Sequence, residues 1–302
     1  MAPGSKSGYL GRMIAKPITR ALVLSGGGPL AVAWECGILA GLAKSGAALA
    51  DADFILGTSA GAIVGAQFAG GRDPMAMAEA ILGERSGTPP PGAMLDYPAD
   101  AIMKLPELFA RAQRDDAGRA EVGAYALAAP MRETEPTYVA RMRLVVGADA
   151  WPERLGVVAV DVADGQAQVL RSDSQASLAA AVAASCCLPG LSPPVAINGR
   201  RYMDGGTRSS ANADLASGFD DILVLGFRLG GPAGDRMGAR VALQSEQLER
   251  GGAQVSVLTP DEAALAEIGS RTMDVVRRPA VVQAAIAQGT AMADAVARRW
   301  LR

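Results

Sequence analysis

Short apolar runs alternate along this chain with glycine-rich turns and longer apolar or amphipathic segments. Ala21–Ser25 ("ALVLS") predicts a short buried strand, followed by the cluster Gly26–Gly28 and a helix from about Ala31 to Lys44. Asp53–Leu56 predicts a second buried strand, and a helix follows over about Ala60–Ala69 after a sharp turn. Two strand–glycine turn–helix units in succession predict a parallel sheet with helices on both faces.

Further along, Leu155–Ala163 and Gln168–Arg171 predict strands, and alanine-rich Ala176–Ser185 a helix. "VAINGRRYMDGG" predicts a hairpin around Asn198-Gly199, a favoured two-residue turn. Ile222–Phe227 and Gln254–Leu258 predict late strands, Met237–Arg250 a helix, and two helices close the chain. Between Arg72 and about Pro136 the pattern changes to a proline-rich loop, "SGTPPPGAMLDYPAD", and then a charged, mainly helical stretch. That stretch is read as an insertion beside the sheet, either a cap over a site or a plain helical connection. The expected organisation is a loose arm over residues 1–20 and one α/β domain over 21–302. Its core motifs lie within 21–216, the candidate cap spans about 72–136, and the C-terminal helices span about 260–302.

At 302 residues the chain is long enough for a sizeable core. Half of the residues are hydrophobic and 20% are charged, which marks a globular protein. The net charge of −2 supplies no basic field, so no nucleic-acid partner is expected. The three cysteines, Cys36, Cys186 and Cys187, form no disulfide framework and have no zinc-ligand spacing. No metal and no cofactor are expected, and the cysteines are read as buried thiols of a reducing, cytoplasmic setting. Phe54–Gly71 and Ser174–Gly199 carry no charge, but a turn splits the first and prolines interrupt the second, so buried core elements account for both. The closing segment "RRPAVVQAAIAQGTAMADAVARRWLR" is amphipathic and basic at both ends. It is expected to dock on the domain, with transient contact at a membrane surface as the alternative.

Chemistry concentrates in three places. The turn "GTSAG", with Gly57, Ser59 and Gly61, fits the G-x-S-x-G pattern that exposes a serine between strand and helix. The helix starting at Ala60 directs N–H groups at the same point, where an oxyanion would be stabilised. A serine there normally has a histidine base, and this chain contains no histidine. The remaining bases are Asp, Glu, Lys, Tyr or a terminal amine. Asp204, followed by Gly205 and Gly206, is the leading candidate, although the same text reads as an ordinary Asp-Gly turn. Lys16 and Lys44 lie near the early motifs without a glycine frame and are weaker candidates. The third place is "LSGGGPLA", whose backbone N–H groups can face an anion. It also approximates a dinucleotide fingerprint, but Ala31 replaces the last glycine, and Asp51 and Asp53 precede the next strand instead of ending it.

Strand–GGG, then G-x-S-x-G, then D-G-G, without histidine, resembles the patatin-like phospholipase family. The resemblance runs from about Ala21 to Ala216 and includes "GIL" at Gly37–Leu39 and "ASCCLP" at Ala184–Pro189. It implies a three-layer α/β/α sandwich with a mainly parallel central sheet. It also implies a Ser-Asp dyad, with Ser59 as nucleophile and Asp204 as proton acceptor. Backbone N–H groups of Gly26, Gly27 and Gly28, joined by Ala60, would form the oxyanion hole. The implied activity is hydrolysis of lipid or other carboxylic esters through an acyl-enzyme. Acyl transfer, thioester hydrolysis and a non-catalytic lipid- or anion-binding module of the same fold are the alternatives. The family usually has G-G-G-x-Arg/Lys-G, and here Leu30 and Ala31 stand at the last two of those positions.

Overall fold

The computed structural model describes residues 17–47, 49–84 and 97–300. The expected arm falls mostly, and the expected proline-rich loop largely, outside the described residues. β1 (Arg20–Leu24) is an interior strand of an eight-stranded sheet. It pairs in parallel with β2 (Phe54–Thr58) and with β7 (Asp221–Leu225). β2 pairs in parallel with β3 (Leu155–Asp161), and β7 with β8 (Gln254–Leu258). β4 (Ala167–Leu170) and the hairpin β5 (Val195–Ile197)–β6 (Arg200–Asp204) complete the sheet antiparallel. The hairpin turns at Asn198 and Gly199, both with positive φ, as the two-residue turn requires.

Alternation along β1 divides the core into two layers. Leu22 and Leu24 join the larger cluster, which includes residues of α1 (Gly28–Lys44), α2 (Ala60–Ala69), α3 (Pro74–Leu82), α6 (Glu135–Val146), α7 (Leu178–Ser185), α9 (Glu262–Ile268) and α10 (Arg278–Trp300). Ala21 and Val23 join the smaller cluster, which includes Val241 and Leu248 of α8 (Gly231–Arg250). Period-two alternation with both faces apolar is what a covered sheet demands. The arrangement is the three-layer α/β/α sandwich with a mainly parallel sheet. The cap expected over about 72–136 contributes α3, α4 (Ala99–Ala112) and α5 (Asp116–Ala128). α3 packs against α1 and α10, whereas α4 and α5 pack on each other, α4 also reaching the turn after β6 and α5 reaching β3.

Two helices begin earlier than their apolar pattern predicts. α1 starts at Gly28 and α8 at Gly231, each with proline in its first turn. Proline supplies a helical φ where the N–H has no partner to lose, so it starts a helix before the periodicity becomes visible. Val275–Trp300 has the length and hydropathy of a membrane span. In the fold it docks: Val281, Val282, Ala285 and Gly289 are buried, with Gly289 against Gly41 of α1.

Candidate active site

β2 runs out at Thr58, and the chain turns at once into α2, placing Ser59 at the helix N-cap with φ 52 and ψ −113. A positive φ is costly for a residue with a Cβ, and such strain persists where the surroundings over-determine it. Gly61 allows the tight crossing: a Cβ there would lie 2.2 Å from the Leu24 carbonyl oxygen. The N–H of Ser59 donates to Ser185 Oγ at 2.8 Å, and Ser185 Oγ donates to the Val158 carbonyl at 2.6 Å. One α7 hydroxyl thus ties the elbow to β3.

Asp204 arrives from the opposite direction. On β3, Val158 pairs with Thr58 of β2, and the next residue, Ala159, pairs with Asp204 of β6. β4 pairs with these same two β3 residues, so it occupies the other edge. β2 and β6 therefore meet end to end along one edge of β3, with Ser59 and Asp204 at the junction. Ser59 Oγ donates to Asp204 Oδ2 at 2.8 Å. The other carboxylate oxygen accepts the Gly206 N–H at 2.7 Å, and the Asp204 N–H donates to the Cys187 carbonyl at 2.9 Å.

Asp204 is 1% exposed. Burial raises its pKa to about 7, against the opposing pull of the Gly206 and Ser59 hydrogen bonds. Asn212, also buried, shares the two hydrogens of its Nδ2 among Thr58 Oγ1, the Gly205 carbonyl and the Ser209 carbonyl, joining the two strand ends. Cys186 Sγ donates to the Ser59 carbonyl at 3.2 Å. Burial first, and then the Asp204 charge, push both Cys186 and Cys187 well above the ordinary thiol range, so both stay protonated and poorly nucleophilic.

The glycine turn lies alongside. A Cβ on Gly26 would approach Ser59 Cβ at 3.1 Å, which places the turn beside the serine. The Gly26 N–H is already committed to the Ser210 carbonyl at 2.7 Å. This narrows the expected donor set, because a ligand oxygen has no access to that proton. Gly27, Gly28 and Ala60 keep N–H groups that no hydrogen bond among the described residues uses. Gly28 has φ +68, a conformation that glycine adopts without strain. Leu30 and Ala31 are fully buried in the larger core cluster.

The weaker sequence candidates lie elsewhere. Lys44 ends α1, roughly 24 Å along that helix from the glycine turn. Lys16 is outside the described residues. Asp53 accepts the Arg20 N–H at the start of β1, the end of the strand remote from the glycines, where a dinucleotide ribose would not sit. Ser185 and Asn212 are contributors that residue-by-residue reading missed. Ser185 lies inside "ASCCLP", so a signal for it was present. Among the described residues no cluster of ligating side chains that could hold a metal is found.

A mainly parallel three-layer α/β/α fold, with a serine at a strand–helix elbow bonded to a buried aspartate beside a glycine turn, defines the structural class. A sequence model of the patatin-like phospholipase family matches residues 22–93 and 94–217. The chain belongs to that family, and so to a group of lipid hydrolases. Among solved structures, VipD from Legionella pneumophila is 14% identical with a TM-score of 0.47, covering 92% of this chain and 67% of that one. The type III effector protein ExoU is 18% identical with a TM-score of 0.42, covering 93% of this chain and 54% of that one. The chain thus spans little more than half of the ExoU chain. No curated protein matches the sequence.

Proposed function

We propose that the protein is a serine acyl-ester hydrolase of lipids that works through Ser59 and Asp204. The observation that carries this reading is the 2.8 Å hydrogen bond from Ser59 Oγ to the buried Asp204 carboxylate. Asp204 Oδ2 takes the hydroxyl proton as Oγ bonds to the ester carbonyl carbon, and the carbonyl oxygen becomes an oxyanion. The free N–H groups of Gly27, Gly28 and Ala60 are the donors for that oxygen, each worth about 3 kcal/mol in such a site. Collapse breaks the bond to the alcohol, which leaves with the proton from Asp204. Water then attacks the acyl-enzyme, gives its proton to Asp204 and releases the carboxylic acid, and the proton returns to Ser59. A carboxylate is an effective base only when its pKa approaches the working pH, and burial supplies that condition here.

A fluorophosphonate probe tests the reading, run beside a panel of p-nitrophenyl esters, phospholipids and acyl-thioesters. The expected result is one label, on Ser59, with ester turnover that disappears in Ser59→Ala. An unlabelled protein without turnover would instead be a non-catalytic binding module, and turnover surviving in Ser59→Ala would overturn the assignment.

A further inference from the structure

A second acid is buried beside the site. Glu35, two turns into α1, is 0% exposed. Its Oε1 accepts the Ser25 N–H at 2.7 Å, and its Oε2 has no hydrogen-bond partner among the described residues. Ser25 is the last residue before the glycine turn, and it is held in two other directions. The Phe227 N–H donates to its Oγ at 2.7 Å, and the Gly61 N–H donates to its carbonyl at 3.1 Å. The far side of the turn is held too: Arg278 Nη1 donates to the Pro29 carbonyl at 3.1 Å while its guanidinium pairs with Glu84. Gly26–Gly28 has no side chains with which to fix itself, so its orientation is set by these outside grips together with the bond from the Gly26 N–H to the Ser210 carbonyl.

Burying a carboxyl with one oxygen unpaired costs stability, and burial pushes Glu35 well above the ordinary carboxylate range. A methionine would fill similar space without that cost. What it cannot provide is an oxygen for the Ser25 N–H. We propose that Glu35 is a positioning residue that fixes the glycine turn, and with it the Gly27 and Gly28 N–H groups, toward the substrate carbonyl oxygen. The inference rests on the acyl-hydrolase reading above.

The test compares kcat, KM and melting temperature in wild type, Glu35→Met, Glu35→Asp, Glu35→Gln and Ser59→Ala on one p-nitrophenyl ester. Small displacements in a catalytic site cost up to about a hundredfold, so Glu35→Met and Glu35→Asp are expected to lower kcat by about ten- to a hundredfold. KM should stay near its wild-type value. Glu35→Gln, which keeps an oxygen for the Ser25 N–H, should regain most of the loss. The melting temperature of Glu35→Met should not fall in parallel, because the lost hydrogen bond is offset by removal of a buried acid. A purely structural residue would lower stability and leave kcat of the folded protein intact. If Glu35→Met does not fold, Glu35→Asp carries the test, since it keeps the acid and withdraws its oxygen by one methylene. Wild-type kcat in Glu35→Asp, or a loss in Glu35→Gln equal to that in Glu35→Met, overturns the inference while leaving the Ser59 assignment standing. Turnover surviving in Ser59→Ala overturns both.

Discussion

Ser59 Oγ and Asp204 Oδ2 lie 2.8 Å apart although 145 residues separate them in sequence. Their meeting is a consequence of strand register. Thr58 and Asp204 pair with consecutive residues of β3, Val158 and Ala159, on the same edge. The "ASCCLP" segment then grips both members. Ser185 Oγ holds the Ser59 N–H, and the Cys187 carbonyl holds the Asp204 N–H.

In the proposed mechanism Asp204 must be ionised to accept the serine proton. Hydrolysis of a neutral ester should therefore rise with pH through about 7, the value to which burial lifts this carboxyl. Asp204→Asn should remove the base and lower kcat/KM by about 10³-fold or more, as loss of one member of such a unit does. A pH–rate profile of wild type, with Asp204→Asn measured beside it, checks both points. Asp204→Asn retaining the wild-type profile would refute the role.

The same shift predicts a stability change of defined sign. The folded protein holds the Asp204 proton up to about pH 7, whereas the unfolded chain releases it near 3.8. The folded state thus binds more protons across that window, and stability falls as pH rises through it. The full effect has an upper bound of roughly 4 kcal/mol. Asn at position 204 keeps an oxygen for the Gly206 N–H and carries no charge. Urea melts should show Asp204→Asn more stable than wild type above pH 7, with a flatter profile between about pH 4 and 7. Parallel pH profiles for the two proteins would contradict this.

Ser185 carries a separable prediction. Ser185→Ala leaves the Ser59 N–H and the Val158 carbonyl without their partner. Leaving buried groups unpaired costs about 1–3 kcal/mol each, so a clear drop in melting temperature is expected. The elbow also loses its tie to β3, so kcat should fall more than KM changes. Unaltered kcat in folded Ser185→Ala would show that the strained Ser59 backbone is held by α2 and β2 alone.

The Ser59–Asp204 pairing was legible because each half carries its own local backbone requirement, a glycine-framed turn between strand and helix and an Asp-Gly-Gly turn. The missing histidine then linked the two. Glu35 was not legible in the same way, because a single acid in a helix ordinarily reads as a solvent-facing residue. The contrary signal was its setting, Trp34-Glu35-Cys36 in a helix with apolar residues on every side, and such a helix is buried all round. Asn212 and the carbonyl of Ser210 left no pattern, since their partners, Thr58 and Gly26, become neighbours only when the sheet closes. The start of α1 was misplaced by three residues because glycine and proline mask periodicity in a first turn.

The departure at Leu30 yields the last prediction. At the sequence level, leucine in place of the family's usual basic residue suggests a missing cation beside the glycine turn. In the fold, Leu30 is 0% exposed and belongs to the core cluster that α1 shares with α10. The neighbouring Pro29 carbonyl already receives Arg278, which is balanced by Glu84. An arginine at position 30 would therefore enter an apolar setting beside an existing guanidinium, with no carboxylate assigned to it. An unpaired buried charge costs several kcal/mol, so Leu30→Arg should lower the melting temperature sharply or prevent folding. Leu30→Met, which conserves volume, should cost less than about 1.5 kcal/mol and keep the activity. Thermal melts and hydrolysis of anionic and neutral lipid vesicles by both variants decide the matter. A stable Leu30→Arg protein with increased turnover of the anionic vesicles would mean that position 30 faces the substrate, and that the buried placement of Leu30 does not describe the working enzyme.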